Sequence, residues 1–402
     1  MARPALEVAD IFRLHGPVYR EAHAASMTSG QRRIMRDIEV CRTAALGGHV
    51  DQCDACGHRV ISFNSCRNRH CGKCQALAKA KWLEKQAAHL LPVEYFHVVF
   101  TVPDRIRAIA LQNKRVIYKI LFQSAAETLR RIARDPKHLG AKIGFLAVLH
   151  TWGQNLHHHP HVHCVVPGGG LSPGKDRWIS SRPRFFLPVR VLSRLFRGIF
   201  LHRLKEACAA GEIQFHGRLQ ELNTAEKFKA WLQATRKTEW VVYCKPPFGG
   251  PAQVLDYLGR YTHRVAISNH RLVRLEDGHV TFRWRDYRDS NKQKLMTLKA
   301  DEFIRRFLLH ELPRGFVRIR HYGFLANARR EENLKLCRQL LNVPAQPDSL
   351  VPEPEDWRAR YERLTGQSLS LCPACHRGRM VVIQLLSRFG TFYDLPPRID
   401  SS

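Results

Sequence analysis

The chain has 402 residues, enough for two or three domains whose cores need no disulfide support. Lys and Arg number 65 against 35 Asp and Glu, a formal net charge of +30 that repels itself unless a polyanion such as nucleic acid is nearby. No apolar run reaches about 18 residues and the first residues lack an apolar signal core, which argues against a membrane or secreted protein. The expected setting is therefore the cytoplasm, with no membrane partner. Thiols stay reduced there, so the 12 cysteines need a role other than disulfides.

Residues 1–40 read as helical, with Arg13, Arg20, Arg32, Arg33 and Arg36 giving a basic face. Residues 41–75 are dense in Cys and His and poor in apolar residues, the texture of a metal-stapled module. Cys53-Asp54-Ala55-Cys56 and Cys71-Gly72-Lys73-Cys74 are paired CxxC units, a strong signal for one structural zinc. Cys41, His49, Cys66 and His70 are left over and could form a second site. Arg42, Arg59, Arg67, Arg69 and Lys73 fit either DNA recognition or a solvated basic face. A helix follows over 76–90, which closes the first expected domain, 1–90.

The texture then changes. Residues 94–102, rich in β-branched and aromatic side chains and ended by Pro103, predict a strand. A long helical pattern runs to about 134. Residues 143–150 and 161–166 predict two strands joined by a polar loop, an antiparallel pair in a buried sheet. On such a strand His161 and His163 point to one face and make half a metal site. His157, His158 and His159 read either as phosphate contacts or as a solvated polar turn. The run from Gly169 to Asp176 approaches a phosphate-binding loop but has Asp176 where a hydroxyl is needed, and is read as an ordinary loop. A helical insertion is expected at about 171–236, a strand at 239–244, short strands near 271–275, 280–286 and 294–298, and a helix over 300–310. The expected domains are 91–330 and, after it, a C-terminal helix, a Pro-rich linker at 344–355 and a tail, 331–402. The tail's Cys372-Pro373-Ala374-Cys375 is a lone CxxC and receives no ligand role.

A helix is also expected after Pro251. On it Tyr257 and Tyr261, four residues apart, share one face. Such pairs are usually core. As nucleophiles, phenols with a pKa of about 10 need help from a metal or a cation, and Arg260, His263 and Arg264 lie beside them.

A His-x-His strand followed by a two-tyrosine helix in one basic chain resembles the two-tyrosine HUH transposases of the IS91 family. The likeness extends to Phe96–Pro103, to His150-Thr151-Trp152-Gly153-Gln154-Asn155-Leu156, to His159–His163, to Val166–Gly170, to Tyr257–Arg264 and to His321–Asn327, roughly residues 20–330. It implies an α+β fold, an HUH-type antiparallel sheet flanked by helices and preceded by a small zinc-binding domain. It implies Tyr257 and Tyr261 as nucleophiles, His161 and His163 as ligands of Mg2+ or Mn2+, and cleavage and rejoining of single-stranded DNA at element ends and target through a 5′-phosphotyrosine. The third ligand is read as Gln154, with His150 the alternative if its strand pairs beside 161–163. The histidine pair alone would also suit zinc. Arg260, His263, Arg264, Arg67 and Arg69 are the expected DNA contacts. A plasmid replication initiator or relaxase shares this chemistry. A zinc-finger regulator without catalysis would explain the charge and the cysteines, but not the ordered histidine strand and tyrosine helix.

Overall fold

Two capped helices open the chain. The first, α1 (Val8–Ala22), starts with a reciprocal cap in which the Asp10 carboxylate accepts the Glu7 N–H at 2.9 Å. In the second, α2 (Ser29–Glu39), the Thr28 hydroxyl accepts the Gln31 N–H at 3.0 Å, and the Gln31 side chain returns to the Thr28 N–H. Their buried residues, Val8, Ile11, Phe12 and Tyr19 on α1 and Ile34, Met35 and Ile38 on α2, follow the helical repeat. In chain order there follow β1 (Gly48–Cys53), β2 (Arg59–Phe63), α3 (Gly72–Ala87), β3 (Tyr95–Thr101), α4 (Asp104–Gln112) and α5 (Lys114–Arg134). Next come β4 (Phe145–Trp152), β5 (His158–Pro167), the hairpin of β6 (Gly169–Leu171) and β7 (Trp178–Ser180), α6 (Val189–Ala209), α7 (Ala225–Lys237) and β8 (Val242–Phe248). The last group is β9 (Leu272–Glu276), β10 (His279–Asp286), β11 (Lys292–Lys299), α8 (Ala300–Leu308), β12 (Ile319–Tyr322), α9 (Arg330–Leu340), β13 (Met380–Leu386) and β14 (Phe392–Asp394). The computed structural model describes residues 5–248, 253, 254, 259, 265–286, 289–343, 359, 361–363, 366, 368–388 and 392–394. The expected linker at 344–355 lies outside them. No helix among the described residues is long and apolar enough to cross a membrane.

The chain folds into two compact units, each assembled from separated stretches. One comprises Met1–Trp82, His263–Glu311 and Pro347–Ser402. Its main sheet has the order β14-β13-β1-β2, all antiparallel. The β1–β13 register runs from Gly48 opposite Leu386 to Cys53 opposite Met380, with a bulge at Val50/Asp51. Of these, β1 and β2 carry little apolar pattern and form a local hairpin, while the apolar strand β13 pairs with β1 from a distant stretch of the chain. A second sheet, β11-β10-β9, is the expected three-strand run, and α8 lays Phe303 edge-on against its Phe282 at 5.9 Å. One turn further along the same face of α8, Phe307 meets Phe12 of α1 at 5.3 Å. The boundaries read along the chain at 90 and 330 follow sequence order; the compact units are set by these distant pairings.

The other unit comprises Leu83–Thr262 and Leu312–Gln346. Its five-stranded antiparallel sheet has the order β12-β4-β5-β3-β8, with β5 at the centre. Side chains alternate across a strand, so pairing fixes two faces at once. Phe96, Val98, Phe100, Ala147, Leu149, Val162, Cys164, Val166 and Val242 share one face and pack into a core with Ile117, Tyr118, Leu121, Phe122 and Leu129 of α5. Leu192, Phe196, Phe200 and Leu204 of α6 join the same core, so the stretch expected as an insertion helps to wall it. Burying each large apolar side chain contributes roughly 1.5–3 kcal/mol, which makes a one-residue slip of these strands prohibitive. The opposite face, held in register by that core, carries the histidines.

Candidate active site and metal centres

The antiparallel pairing places His150 of β4 directly opposite His161 of β5, and His163 opposite Val148. Residues two apart share a face, so all three imidazoles come to one side of the sheet. Their ligand atoms lie within 4.8 Å of one another. Ring centroids are 4.4 Å apart for His150 and His163, 4.8 Å for His161 and His163 and 5.5 Å for His150 and His161. His150 and His163 are buried and His161 is half-buried. Three neutral imidazoles at this spacing form a donor set for a transition-metal ion.

A fourth histidine orients the third, and the sequence reading passed over it. His97 of β3 is buried, and its Nε2 lies 2.8 Å from His163 Nδ1, with the two rings stacked at 5.0 Å. Burial, reinforced by the nearby charge of Lys245, pushes the His97 pKa down to about 3. His161 donates its Nδ1–H to the His159 carbonyl at 2.7 Å, and a metal on His163 Nε2 would call for the tautomer in which His163 Nδ1–H donates to a neutral His97. Both tautomers make Nε2 the ligating atom. The available signal was His97's place in the strand pattern: with Tyr95 and Val99 it alternates against Phe96, Val98 and Phe100, so it had to share the histidine face once β3 paired with β5.

The condition attached to His150, that its strand pair beside 161–163, is met. Gln154 lies in the turn that joins β4 to β5, on neither strand. His158 fits neither reading of the histidine loop: it faces the core, almost fully buried, with the Tyr118 hydroxyl 2.7 Å from its Nε2. Strand β5 begins at that residue and parity turns it inward. Residues 172–176 of the run that approached a phosphate loop lie in the tip of the β6–β7 hairpin, closed by a hydrogen bond between the Ser172 hydroxyl and Asp176. Tyr257, Tyr261, Arg260, His263 and Arg264 lie outside the described residues.

The cysteines gather into two quartets that differ from the expected ones. Cys41, Cys66, Cys71 and Cys74 form the first, and Cys53, Cys56, Cys372 and Cys375 the second. In the first, the Sγ atoms of Cys41–Cys74, Cys66–Cys74 and Cys41–Cys71 are each 3.6 Å apart. Four thiolates about 2.3 Å from one zinc would sit roughly 3.8 Å from each other, whereas a disulfide would need about 2.05 Å. The expected set Cys53, Cys56, Cys71 and Cys74 is thus divided between the quartets, because β1 carries Cys53 to the tail strand β13 while Cys41 at the end of α2 meets the start of α3. His49 and His70 belong to neither group; His49 Nε2 lies 3.2 Å from Asp51 Oδ2. Cys372 and Cys375, given no role from sequence, complete the second quartet. Backbone N–H groups of Gly378 and Arg377 pull the Cys375 thiol down to about 6. Arg67 and Arg69 are exposed in the loop between Cys66 and Cys71.

A basic chain whose sheet presents a histidine cluster, joined to a cysteine-stapled module, has the parts of a DNA-processing enzyme with a zinc-binding domain. Residues 11–102 match the family described as "Transposase zinc-binding domain", and residues 144–333 the family described as "Putative transposase". Over 385 residues the chain is 61% identical to "Putative transposase y4qJ" of Sinorhizobium fredii (strain NBRC 101917 / NGR234), spanning 96% of each protein. It is 28% identical over 304 residues to the transposase for insertion sequence element IS801 of Pseudomonas savastanoi pv. phaseolicola, covering 73% of this chain and 72% of that protein. The chain belongs to the IS91 family of transposases. No solved structure matches it. Transposases act on DNA by cutting and transferring strands, and the zinc-binding domain and its cysteines call for structural zinc. The first quartet lies wholly inside the zinc-binding match and the histidine cluster inside the other; Cys372 and Cys375 lie beyond both.

Proposed function

We propose that this transposase cleaves and rejoins single-stranded DNA at the ends of an insertion sequence and at its target, through a 5′-phosphotyrosine, in a rolling-circle-like cycle. The observation that supports it most is the cluster of three imidazoles on one sheet face, oriented from behind by His97 and the His159 carbonyl. His150, His161 and His163 would hold a divalent ion, which when bound polarises a phosphate and offsets developing charge. Three imidazole donors suit a transition ion such as Mn2+ better than Mg2+, which prefers oxygen. Tyr257 or Tyr261 supplies the nucleophile: its Oη forms a bond to the scissile phosphorus, the bond from phosphorus to the 3′ oxygen breaks, and that oxygen leaves as a hydroxyl after taking up a proton. The phosphoryl bond is conserved on the tyrosine, so a 3′ hydroxyl can later reverse the step without ATP. A second tyrosine allows a second cut while the first end is held. Arg260, His263, Arg264, Arg67 and Arg69 are assigned to phosphate contacts, which neutralise backbone charge.

The test is incubation with labelled single-stranded DNA carrying element ends and Mn2+. A covalent adduct is expected, and it should fall sharply in Tyr257→Phe, in Tyr261→Phe, or only in the double variant if either phenol serves. DNA binding with no adduct under Mn2+, Mg2+ or Zn2+ would favour a non-catalytic regulator, and cleavage confined to a replication origin would favour an initiator. His97 has its own prediction. His97→Ala should weaken Mn2+ binding about 10- to 100-fold, the usual effect of removing a group that orients a ligand, and His97→Asn should recover part of it. Metal titration of folded protein reads the effect directly.

A further inference from the structure

The tail motif Cys372-Pro373-Ala374-Cys375 lies beyond both family matches, yet it completes a tetrathiol cage with Cys53 and Cys56. We infer that Cys53, Cys56, Cys372 and Cys375 bind a second structural zinc, and that this ion staples the C-terminal tail to the N-terminal module. Three features carry this. The first is spacing: Cys53 and Cys375, and Cys56 and Cys372, have Sγ atoms 3.7 Å apart, the edge of a zinc–thiolate tetrahedron and far longer than a disulfide.

The second is the arrangement of amides around the sulfurs. The N–H groups of Ala55 and Cys56 reach Cys53 Sγ, that of Ala374 reaches Cys372 Sγ and that of Gly378 reaches Cys375 Sγ, each at 3.4 Å. The two CxxC turns are thus built alike, and amides aimed at sulfur favour the thiolate over the thiol. The third is the frame. Asp54 accepts the Arg379 N–H on its side chain at 2.7 Å and donates its own N–H to the Arg379 carbonyl, and β1 runs antiparallel to β13 from Cys53 opposite Met380. This holds the two turns face to face. Gly378 completes it: a Cβ there would stand 2.4 Å from Cys53 Sγ and 2.7 Å from the Ala55 Cβ, so only glycine allows the turns to approach this closely.

Two closed four-thiolate sites therefore serve different connections. The first quartet ties α2 to α3 within one stretch. The second joins residues more than 300 apart, as the 316-residue separation of Cys56 and Cys372 shows. It makes the tail part of the zinc-binding unit, in a role that no local motif of the tail could fill alone.

Full-length protein loaded with Co2+ and then Zn2+ tests this. The thiolate-to-cobalt charge-transfer band counts thiolate ligands and ignores ions on imidazole. Cys372→Ser and Cys375→Ser are each expected to lose about half of that band and one thiol-bound zinc per chain, while Cys208→Ser loses neither. Gly378→Ala should lower occupancy of the second site alone. The wild type keeps the question decidable if a serine variant fails to fold. Beyond buried Cys164 and Cys337, eight thiols should resist alkylation while zinc is bound and react once it is removed. Only four thiols whose protection depends on zinc in the wild type, an unchanged band in Cys372→Ser, or a mass fragment linking Cys53 to Cys375 by a disulfide would overturn the inference.

Discussion

His150→Ala is expected to lower metal-dependent DNA cleavage about 10²- to 10³-fold, while Gln154→Ala changes it by no more than roughly twofold. The first figure corresponds to about 3–4 kcal/mol of transition-state stabilisation, the scale on which a bound ion offsets charge at a phosphate. The second is the usual reach of a substitution away from buried or liganding groups. The contrast follows from the sheet. His150 stands opposite His161 on the neighbouring strand, its ring 4.4 Å from that of His163, whereas Gln154 lies in the connecting turn. His161→Ala and His163→Ala should match His150→Ala. Because His150 is buried, thermal unfolding of each variant should accompany the assay, and the affinity for Mn2+ should fall in parallel with the rate. A Gln154→Ala variant as inactive as His150→Ala, in folded protein, would assign the third ligand to the turn.

Cys74→Ser, or removal of zinc by a strong chelator, is expected to unfold the module around the first quartet and abolish specific DNA binding. Structural zinc in small modules contributes apparent binding free energies of about 10–16 kcal/mol, comparable to or larger than the whole stability of a domain. Little else can hold residues 64–71, which form no helix or strand and carry exposed Arg67 and Arg69 in the loop between Cys66 and Cys71. The damage should spread, because Lys73 beside Cys74 bonds both the Cys41 carbonyl and the Glu7 carboxylate that caps α1. Hydrogen exchange should show protection lost first in α2, α3 and β1. Unchanged protection in zinc-free protein would mean that the helices, and not the metal, carry the module. The same experiment on Cys208→Ser supplies the control.

The histidine strand, the charge of +30 and the cysteine density were all legible along the chain, because each rests on local spacing or on a sum over residues. Most of the larger strands and helices were legible for the same reason: β3, β4, β9, β10 and α8 fall where alternation or helical repeat predicts them. Strands β1, β2 and β13 were not read: β1 and β2 are short and carry little apolar pattern, and the apolar run of β13 finds its partner β1 more than 300 residues away. Partnership among the metal-binding residues was the other hidden layer. Residue type and spacing made the cysteines metal ligands, but the β1–β13 register decided that Cys53 and Cys56 face Cys372 and Cys375 while Cys71 and Cys74 face Cys41 and Cys66. The β4–β5 and β3–β5 registers likewise placed His150 in the cluster and His97 behind it. Residue type alone determines which atoms can bind a metal; which of them meet depends on the pairing of strands from distant stretches, and only the folded sheets hold that information.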